Sequence, residues 1–348
     1  MWSRQIGEKA GVSIPLYPAE HFYIITEPIE NLSKTLPVIR DFDNRTYIKE
    51  DAGKILVGIF ESKSIPAWNK INKVPEDFSF GEFQENFEHF EPYLAAAIKR
   101  FPVLETAGIR KFFSGPESFT PDTNTLLGEV PEVKNFFVSC GLNSIGIGSG
   151  GGVGKVTAEW LINGHVNEDI FCYDIKRFQK FHSDLGFIKK RITESLGDLY
   201  GMHWPFKQHK TSRNIKTLPY HDELKSYGAC FGVYGGYERP MWFALDGEKT
   251  EYEYSYNYQN WYPSAEYETS NTVKNVGLFD LTPFSKFEIR SGKAHEELQK
   301  ICTANIKNEF GKCVYTHMLN PDGGIETDLT VVCLDKDHFR IISSAATR

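Results

Sequence analysis

Residues 11–29, GVSIPLYPAEHFYIITEPI, end in a strand-like run in which Phe22 and Ile24 alternate with Tyr23 and Ile25. Phe22 and Ile24 fall on the same side of this alternation. Because the side chains of a β-strand point to opposite faces in turn, the pattern predicts a strand with one buried face. Two further runs, residues 45–51 and 54–61, flank a short turn that contains glycine, and they predict an antiparallel hairpin.

A different period follows in residues 80–101, where apolar residues recur every three or four positions. This spacing predicts a surface helix with one apolar stripe, interrupted by Pro92. The stripe consists of Phe83, Phe87, Phe90, Leu94, Ile98 and Phe101.

A strand, a glycine-rich loop and a helix are predicted next. Turn-forming residues at 115–124 precede the strand-like run NFFVSC, residues 135–140. KVTAEWLING, residues 155–164, is helical in pattern and ends at a glycine, the residue most common after a helix. Six glycines lie between the strand and this run, from Gly146 to Gly154.

The composition changes after about residue 168, which suggests three regions. Residues 169–226 are polar, only weakly helical, and are predicted to connect domains rather than to form a core. From residue 227 a new pattern begins, with strand-like KFEIRS, helical AHEELQKIC, the turn NPDGG and strand-like ETDLTVVCL. We therefore predict domains at residues 1–168 and 227–348, joined by a central module at 169–226.

Composition and charge narrow the possible functions. The 348 residues have room for two or three domains, and the net charge of −7 argues against partners such as nucleic acid or anionic membrane. No apolar run approaches the roughly 18 residues that a membrane span needs, and the first residues do not form a signal peptide. The six cysteines are scattered without metal-type spacing, so we expect reduced thiols, a reducing compartment and no metal.

The glycine loop admits three interpretations. Gly146-x-Gly148-x-x-Gly151 matches the fingerprint that binds a dinucleotide pyrophosphate in a Rossmann βαβ unit, but no third element follows clearly. The loop could also be a simple turn before a packed helix. A third interpretation is a site for an anion or a polar ring, since free N–H groups at a helix N-terminus favour electron-rich atoms.

Several blocks in order resemble the dimethylglycine and sarcosine dehydrogenases, FAD enzymes of the D-amino-acid-oxidase type fused to a folate-binding domain like glycine-cleavage aminomethyltransferase. The first half carries MWSRQIG, AEHFYIITEPI, HFEPYLAAAIKRFPVLETAGI, GPESFTPDTNTLLGEV and the glycine loop. The second carries GYERPMWF, GLFDLTPFSKFEI and YTHMLNPDGGIETDLTVV. The resemblance implies a multi-domain α/β and α+β chain. Its parts are the C-terminal portion of the FAD-binding fold, with an antiparallel substrate-domain sheet, and then the start of the folate-binding fold.

The resemblance also implies that the chain is a fragment. In the family, the glycine motif for the ADP moiety and the histidine that carries FAD covalently lie upstream of anything present here. Met1 would then be an internal methionine, and the last residues, SSAATR, would stop partway through the folate domain. We expect this piece alone to be inactive and unable to hold FAD. We also expect most strands that flank residues 135–140 to lie in the missing part, which would leave this strand with unpaired edges and an uncovered apolar face.

Two residues match the family's active site. His21 in AEHFYIITEP corresponds to the active-site histidine, and Tyr47 in RTYIKED corresponds to the active-site tyrosine. Without the resemblance, His21 reads as an ordinary strand histidine and Tyr47 as a half-buried aromatic residue. Cys140 beside the loop reads as a small buried strand residue rather than a covalent flavin attachment.

The resemblance assigns the flavin to the loop and to the start of the helix. Glycines there would let the backbone approach the ring where negative charge grows on reduction. The implied cofactor-binding residues are Trp2, Leu142, Asn143, Ser144, Ile145, Gly146, Ile147, Gly151 and Gly152.

In the second half, Tyr315 and Asp328 flank the NPDGG turn. The matching tyrosine and acid of the aminomethyltransferases bind the folate, and the acid lies beside the reactive nitrogens of the reduced pterin. Asp328 is therefore assigned both a catalytic and a folate-binding role. One departure is Ser343-Ser344, where the aminomethyltransferases often carry asparagine.

The predicted function is FAD-dependent oxidative demethylation of dimethylglycine or sarcosine, with the one-carbon unit passed to tetrahydrofolate and electrons to an electron-transfer flavoprotein. Two alternatives remain open: a catalytically silent interaction protein like the regulatory subunit of pyruvate dehydrogenase phosphatase, and an amine oxidase that uses oxygen. The predicted location is the bacterial cytoplasm, with the mitochondrial matrix as the alternative.

Overall fold

The computed structural model describes residues 1–347 and divides into two compact units. The N-terminal unit comprises residues 1–203 and 209–212, and the C-terminal unit comprises residues 204–208 and those from 213 onward. None of the helices in residues 1–347 is long and apolar enough to cross a membrane.

The N-terminal unit is built around a five-stranded antiparallel sheet with the strand order β2-β3-β4-β1-β5. The predicted strand and hairpin are confirmed as β1 and as the pair β3 and β4. The elements of this unit are α1 (Ser3–Lys9), β1 (Tyr17–Thr26), β2 (Ile39–Asp41), β3 (Thr46–Asp51), β4 (Lys54–Ile59), α2 (Phe87–Arg100), β5 (Ile109–Phe119), β6 (Leu126–Glu129), β7 (Phe137–Cys140), α3 (Gly146–Asn163) and α4 (Leu185–Asp198).

One face of the large sheet packs against α2. Phe22 and Ile24 of β1 are buried there with Val57 of β4 and Phe112 of β5, and α2 contributes Phe90. The alternation in β1 leaves the side chains at positions 17, 19, 21 and 23 on the opposite face. The sheet therefore has one face that is mostly apolar, with a few polar residues such as Thr26 and Ser114 buried in it, and one face that is free to carry polar chemistry.

Helix α2 is shorter than its apolar stripe predicts. It begins at Phe87 because Asn86 caps it, with the side-chain oxygen of Asn86 accepting a hydrogen bond from the N–H of His89. Phe83 lies outside the helix, and its N–H donates to the carbonyl of Ser114 at 2.7 Å. The prediction of helix at residue 83 was therefore wrong, and the Phe83 ring packs instead against Trp68, 5.1 Å between ring centroids.

Helix α4 covers part of the second sheet face. Its residues Ile188, Ile192 and Leu196 are fully buried against Tyr17 and Ala19 of β1. The expectation that this stretch forms no core was wrong. The apolar residues lie four apart among lysines and arginines, so the stripe is narrow and easily missed in the sequence.

The segment after α4 is tied back to that helix. The Glu194 carboxylate accepts hydrogen bonds from the N–H groups of Lys210 and Thr211 and from the Thr211 hydroxyl, at 2.7–3.0 Å. Asp198 and His209 lie next to it, and within residues 1–347 these three form one group with the spacing of metal ligands. Because Glu194 is occupied by backbone donors, the cluster is explained as a structural tie.

The strand before the glycine loop has a partner in this chain. β7 pairs with β6 in antiparallel register, and Val138 is buried with Leu126 and Val12. The expectation of an uncovered apolar face was therefore wrong, and so was the expectation of unpaired edges for the edge that pairs with β6. Trp160 of α3 packs over Gly128 of β6, where a side chain would collide with the indole, and Gly164 ends α3 with φ 79° as predicted.

The C-terminal unit carries a four-stranded antiparallel sheet with the order β10-β13-β12-β11 and a separate β8–β9 hairpin. Its core lies between the sheet and α7, where Leu298 packs on Leu329 and Phe339. The predicted strands KFEIRS and ETDLTVVCL and the helix AHEELQKIC are confirmed as β10, β12 and α7. The elements are α5 (His221–Ser226), β8 (Ala229–Tyr234), β9 (Tyr237–Phe243), α6 (Tyr262–Lys274), β10 (Ser285–Arg290), α7 (Ala294–Ile301), β11 (Cys313–Leu319), β12 (Ile325–Asp335) and β13 (His338–Ser343).

Candidate active site and glycine-rich loop

His21 and Tyr47 share the sheet face that α4 leaves partly uncovered. Tyr47 of β3 and Tyr23 of β1 both lie opposite Gly58 of β4, and His21 is two residues from Tyr23, so all point to one side. The ring of Phe60 stands between the two predicted catalytic residues, 4.9 Å from the His21 ring and 5.8 Å from the Tyr47 ring. The fold thus brings together two residues that are 26 positions apart.

His21 is held as a neutral imidazole. Its side chain is 12% exposed, and burial lowers its pKa to about 4. Its Nδ1 is buried without a hydrogen-bond partner in residues 1–347, and its Nε2 lies 3.9 Å from an oxygen of Glu117 on β5. An uncharged imidazole beside a carboxylate can accept a proton, and the carboxylate can then stabilise the imidazolium.

Tyr47 is held as a neutral phenol. Burial raises its pKa well above the usual range, and the nearby Glu117 carboxylate adds to that effect. Its ring packs directly on the backbone of Gly58, where a side chain of any size would overlap with the ring. Gly58 is therefore required for the observed position of Tyr47.

We expect Gly58→Ala to displace the Tyr47 ring and to lower the free energy of unfolding by about 1–3 kcal/mol. Thermal unfolding of the purified protein measures this loss. Gly154→Ala is the matched control, because a Cβ there meets nothing within 4 Å, and this variant should be neutral or slightly stabilising. Removing the ring in Gly58→Ala/Tyr47→Ala should recover part of the loss; no recovery would contradict the assigned contact.

The loop between β7 and α3 is strained and is tied to the end of β5. Asn143 and Ser144 adopt left-handed backbone conformations, with φ of 49° and 67°, which cost about 1–3 kcal/mol each in residues other than glycine. The buried Asn143 side chain accepts a hydrogen bond from the N–H of Thr120 at 2.9 Å. The hydroxyl and N–H of Ser144 interact with the Glu117 carboxylate and offset part of the rise in its pKa that burial causes. Strain maintained by such ties is typical of functional loops.

The start of α3 is open and has no side-chain cap. Ile145 occupies the N-cap position without a capping hydrogen bond, and the first turn contains no acidic residue. A Cβ built on Gly148, Gly151 or Gly152 would meet nothing within 4 Å, so the glycine-rich surface is accessible. Uncapped N–H groups on an accessible surface fit the polar edge of a flavin ring.

The Rossmann interpretation of this loop does not agree with the fold. In the described chain, the ladder on β7 is the antiparallel one with β6, and no parallel strand follows α3 as a βαβ unit requires. Two interpretations remain: a simple turn before a packed helix, and a site for an anion or a polar ring at a helix N-terminus.

The remaining predicted flavin contacts lie around the same loop. Leu142 folds back over Gly146, whose built Cβ would lie 3.5 Å from the Leu142 side chain. Trp2 precedes Ser3, whose side chain hydrogen-bonds the Cys140 thiol at the end of β7. Burial raises the pKa of that thiol, so Cys140 is protonated, which favours a structural role. The assignment of all these residues to the flavin stays a prediction.

Tyr315 and Asp328 meet on the exposed face of the C-terminal sheet. The Tyr315 hydroxyl donates to a carboxylate oxygen of Asp328 at 3.1 Å, and this hydrogen bond raises the pKa of Tyr315. His317 pairs with Asp328 across β11 and β12, and its ring lies 5.4 Å from the Tyr315 ring. The face carries an acid, a phenol and an imidazole that are open to a ligand.

Sequence reasoning missed Glu117, Phe60 and His317. Glu117 lies in residues 115–124, which the sequence predicts as turn-forming; that prediction was wrong for residues 115–119, which belong to β5 because they pair with β1. The alternation of β5 would place it on one face, but only the pairing of β5 with β1 brings it to His21. His317 could have been found, since it lies two positions from Tyr315 in a strand.

Three family profiles match consecutive parts of the chain. FAD dependent oxidoreductase matches residues 1–160, FAD dependent oxidoreductase central domain matches 163–217, and GCVT N-terminal domain matches 220–348. These matches agree with the predicted resemblance to FAD oxidoreductases followed by an aminomethyltransferase-like part, and with the predicted fold class. FAD and tetrahydrofolate agree with the matched profiles as cofactors.

Relatives of known function are similar over nearly the whole chain. A 4-methylaminobutanoate oxidase (formaldehyde-forming) from Paenarthrobacter nicotinovorans is 41% identical over 100% of this chain and 42% of its own length. The mitochondrial pyruvate dehydrogenase phosphatase regulatory subunit of Mus musculus is 35% identical over 98% of this chain and 40% of its own. Human mitochondrial sarcosine dehydrogenase is 34% identical over 97% of this chain and 39% of its own length. The chain thus spans about two fifths of the length of these curated relatives.

Proposed function

We propose that the protein oxidises the N-methyl group of a methylated amino acid and transfers the resulting one-carbon unit to tetrahydrofolate. The observation that supports this most is the neutral, buried His21, 3.9 Å from Glu117 and on the same sheet face as Tyr47. The candidate substrates are dimethylglycine and sarcosine, which the resemblance implies, and 4-methylaminobutanoate, on which one relative acts. An electron-transfer flavoprotein or oxygen would receive the electrons.

In this proposal the residues of the chain prepare the amine. A methylated ammonium must lose a proton before its methyl C–H bond can break as hydride, and the neutral His21 takes that proton. Residues 142–147 and the start of α3 would hold FAD, and bound FAD would supply the acceptor for the hydride that leaves the methyl carbon. Hydride loss leaves a C=N iminium. Addition of water then breaks the C–N bond and yields formaldehyde and the demethylated amino acid, unless a folate nitrogen captures the carbon first.

The test is anaerobic mixing of the full-length flavoprotein with each of the three methylated amino acids. We expect at least one to bleach the visible flavin band, and its N-trideuteromethyl form to do so more slowly because a methyl C–H bond breaks. Glycine and 4-aminobutanoate, which lack the methyl group, are the controls and should leave the band unchanged. Bleaching without an isotope effect would place oxidation at another carbon.

A regulatory role without catalysis is the second candidate, because one similar protein is a phosphatase regulatory subunit. The same experiment separates the two functions. Flavin that no methylated amino acid reduces would favour the regulatory role.

A further inference from the structure

Glu117 is a carboxylate without a basic side chain to pair with. No lysine or arginine of the described chain forms an ion pair with it, whereas the nearby Asp122 is paired with Arg177 at 2.8 Å. The groups that face it are His21, Tyr47, Ser144 and the amino group of Met1. His21 and Tyr47 are both uncharged near neutral pH, so the Met1 amino group, whose charge lowers the pKa of Glu117, is the one cation among these four groups. A partly buried anion in such surroundings is stabilised by any cation that enters.

The position of Glu117 indicates that this cation would belong to a ligand bound in the site. Its side chain keeps 32% of its exposure, so one side remains open to the site. One oxygen lies 3.9 Å from His21 Nε2, and Ser144 ties the carboxylate to the residue 142–147 loop. A cation held here would lie next to both the proposed proton acceptor and the proposed flavin loop.

We infer that Glu117 binds the ammonium group of the substrate and selects a methylated amine over uncharged or anionic compounds of the same shape. This inference rests on the proposed function. The carboxylate draws the protonated amine to His21, and after proton transfer it faces the imidazolium. The carboxylate end of an amino acid substrate is repelled by Glu117, so the substrate enters in one orientation.

Binding to the anaerobically reduced full-length protein tests this, because the reduced flavin cannot oxidise the ligand. Calorimetry would compare 4-methylaminobutanoate with 4-(methylthio)butanoate, and sarcosine with (methylthio)acetate, where an uncharged sulfur replaces the ammonium. Of the two amines, the one that the wild-type protein binds more tightly should also bind more tightly than its own thioether. Glu117→Gln should weaken amine binding at least about tenfold and thioether binding less than about twofold.

Glu117→Gln keeps the size of the side chain and an oxygen that accepts from Ser144. Glu20→Gln is the matched control, since Glu20 precedes His21 and points to the opposite face of β1, and it should leave both affinities unchanged. Glu117→Asp should restore part of the preference for the amine.

The outcomes separate this inference from the proposed function. Equal weakening of both ligands in Glu117→Gln would assign Glu117 to loop support alone and overturn the inference. An unchanged preference would also overturn it, while methyl oxidation by the wild-type protein would leave the proposed function intact. A wild-type protein that neither binds nor oxidises any methylated amino acid would overturn both.

Discussion

His21→Ala should slow reduction of the flavin by methylated amino acids by about 100-fold, the effect expected when a positioned acid–base group is removed. The reason is local. His21 is unprotonated at neutral pH, because burial lowers its pKa to about 4, so its free nitrogen can relay the amine proton, and the imidazolium formed in passing would face Glu117, 3.9 Å away. Stopped-flow measurement of the reduction rate at saturating amine gives the effect directly.

The pH dependence carries a second expectation for the same residue. Burial depresses the pKa of His21 from 6.5 to about 4, so the imidazole stays unprotonated as the pH falls through 6.5 and becomes protonated only near 4. The profile of kcat/KM in the wild-type protein should therefore show no inflection near 6.5 from this group. An inflection near 6.5 that His21→Ala removes would contradict the assigned neutral state.

Controls distinguish chemistry from folding. His21→Ala should retain bound flavin and fold normally, since the side chain makes no hydrogen bond that holds the sheet together. His317→Ala, in the other unit, is the matched control and should reduce the flavin at the wild-type rate. Wild-type turnover in His21→Ala would overturn its catalytic role.

The sequence predicted the elements whose pattern is local. The alternation at Phe22 and Ile24 and the hairpin at 45–61 need only neighbouring residues, and both are present in the fold. Helix α4 was missed as a core element because its burial depends on Tyr17 and Ala19, far away along the chain. Sheet order, which brings Glu117 beside His21, is equally non-local and cannot be obtained from periodicity.

The candidate site shows the same division. His21 and Tyr47 were identified as candidate site residues from the family resemblance, and they lie on one sheet face beside Phe60. No pattern in the residues themselves marks either one, since a strand histidine and a strand tyrosine are ordinary. Strain at Asn143 and Ser144 was also hidden, because left-handed backbone in residues other than glycine leaves little trace in composition.

The folate-binding part of the proposal leads to an expected separation of two activities. Tyr315 and Asp328 belong to the C-terminal unit, whereas His21 and Tyr47 belong to the N-terminal unit. If the carboxylate of Asp328 orients the folate nitrogen that captures the one-carbon unit, its loss should affect capture and leave oxidation unchanged. The two processes can be measured in one reaction mixture.

In Asp328→Asn we expect the rate of amine oxidation to stay within about twofold of wild type. Most of the one-carbon unit should be released as free formaldehyde, in an amount roughly tenfold greater than in wild type. The amide keeps the shape of the side chain, but it lacks the negative charge. That charge strengthens the hydrogen bond that a carboxylate oxygen accepts from Tyr315 at 3.1 Å, and it would orient the folate amine. Formaldehyde and methylene-tetrahydrofolate would be quantified together with substrate consumed.

Asp335→Asn, at the other end of β12, is the matched control and should keep the wild-type product ratio. Tyr315→Phe should give an intermediate ratio, because the carboxylate remains but loses one of the groups that position it. Equal loss of oxidation and capture in Asp328→Asn would instead show that Asp328 supports the whole protein and has no separate role in folate chemistry.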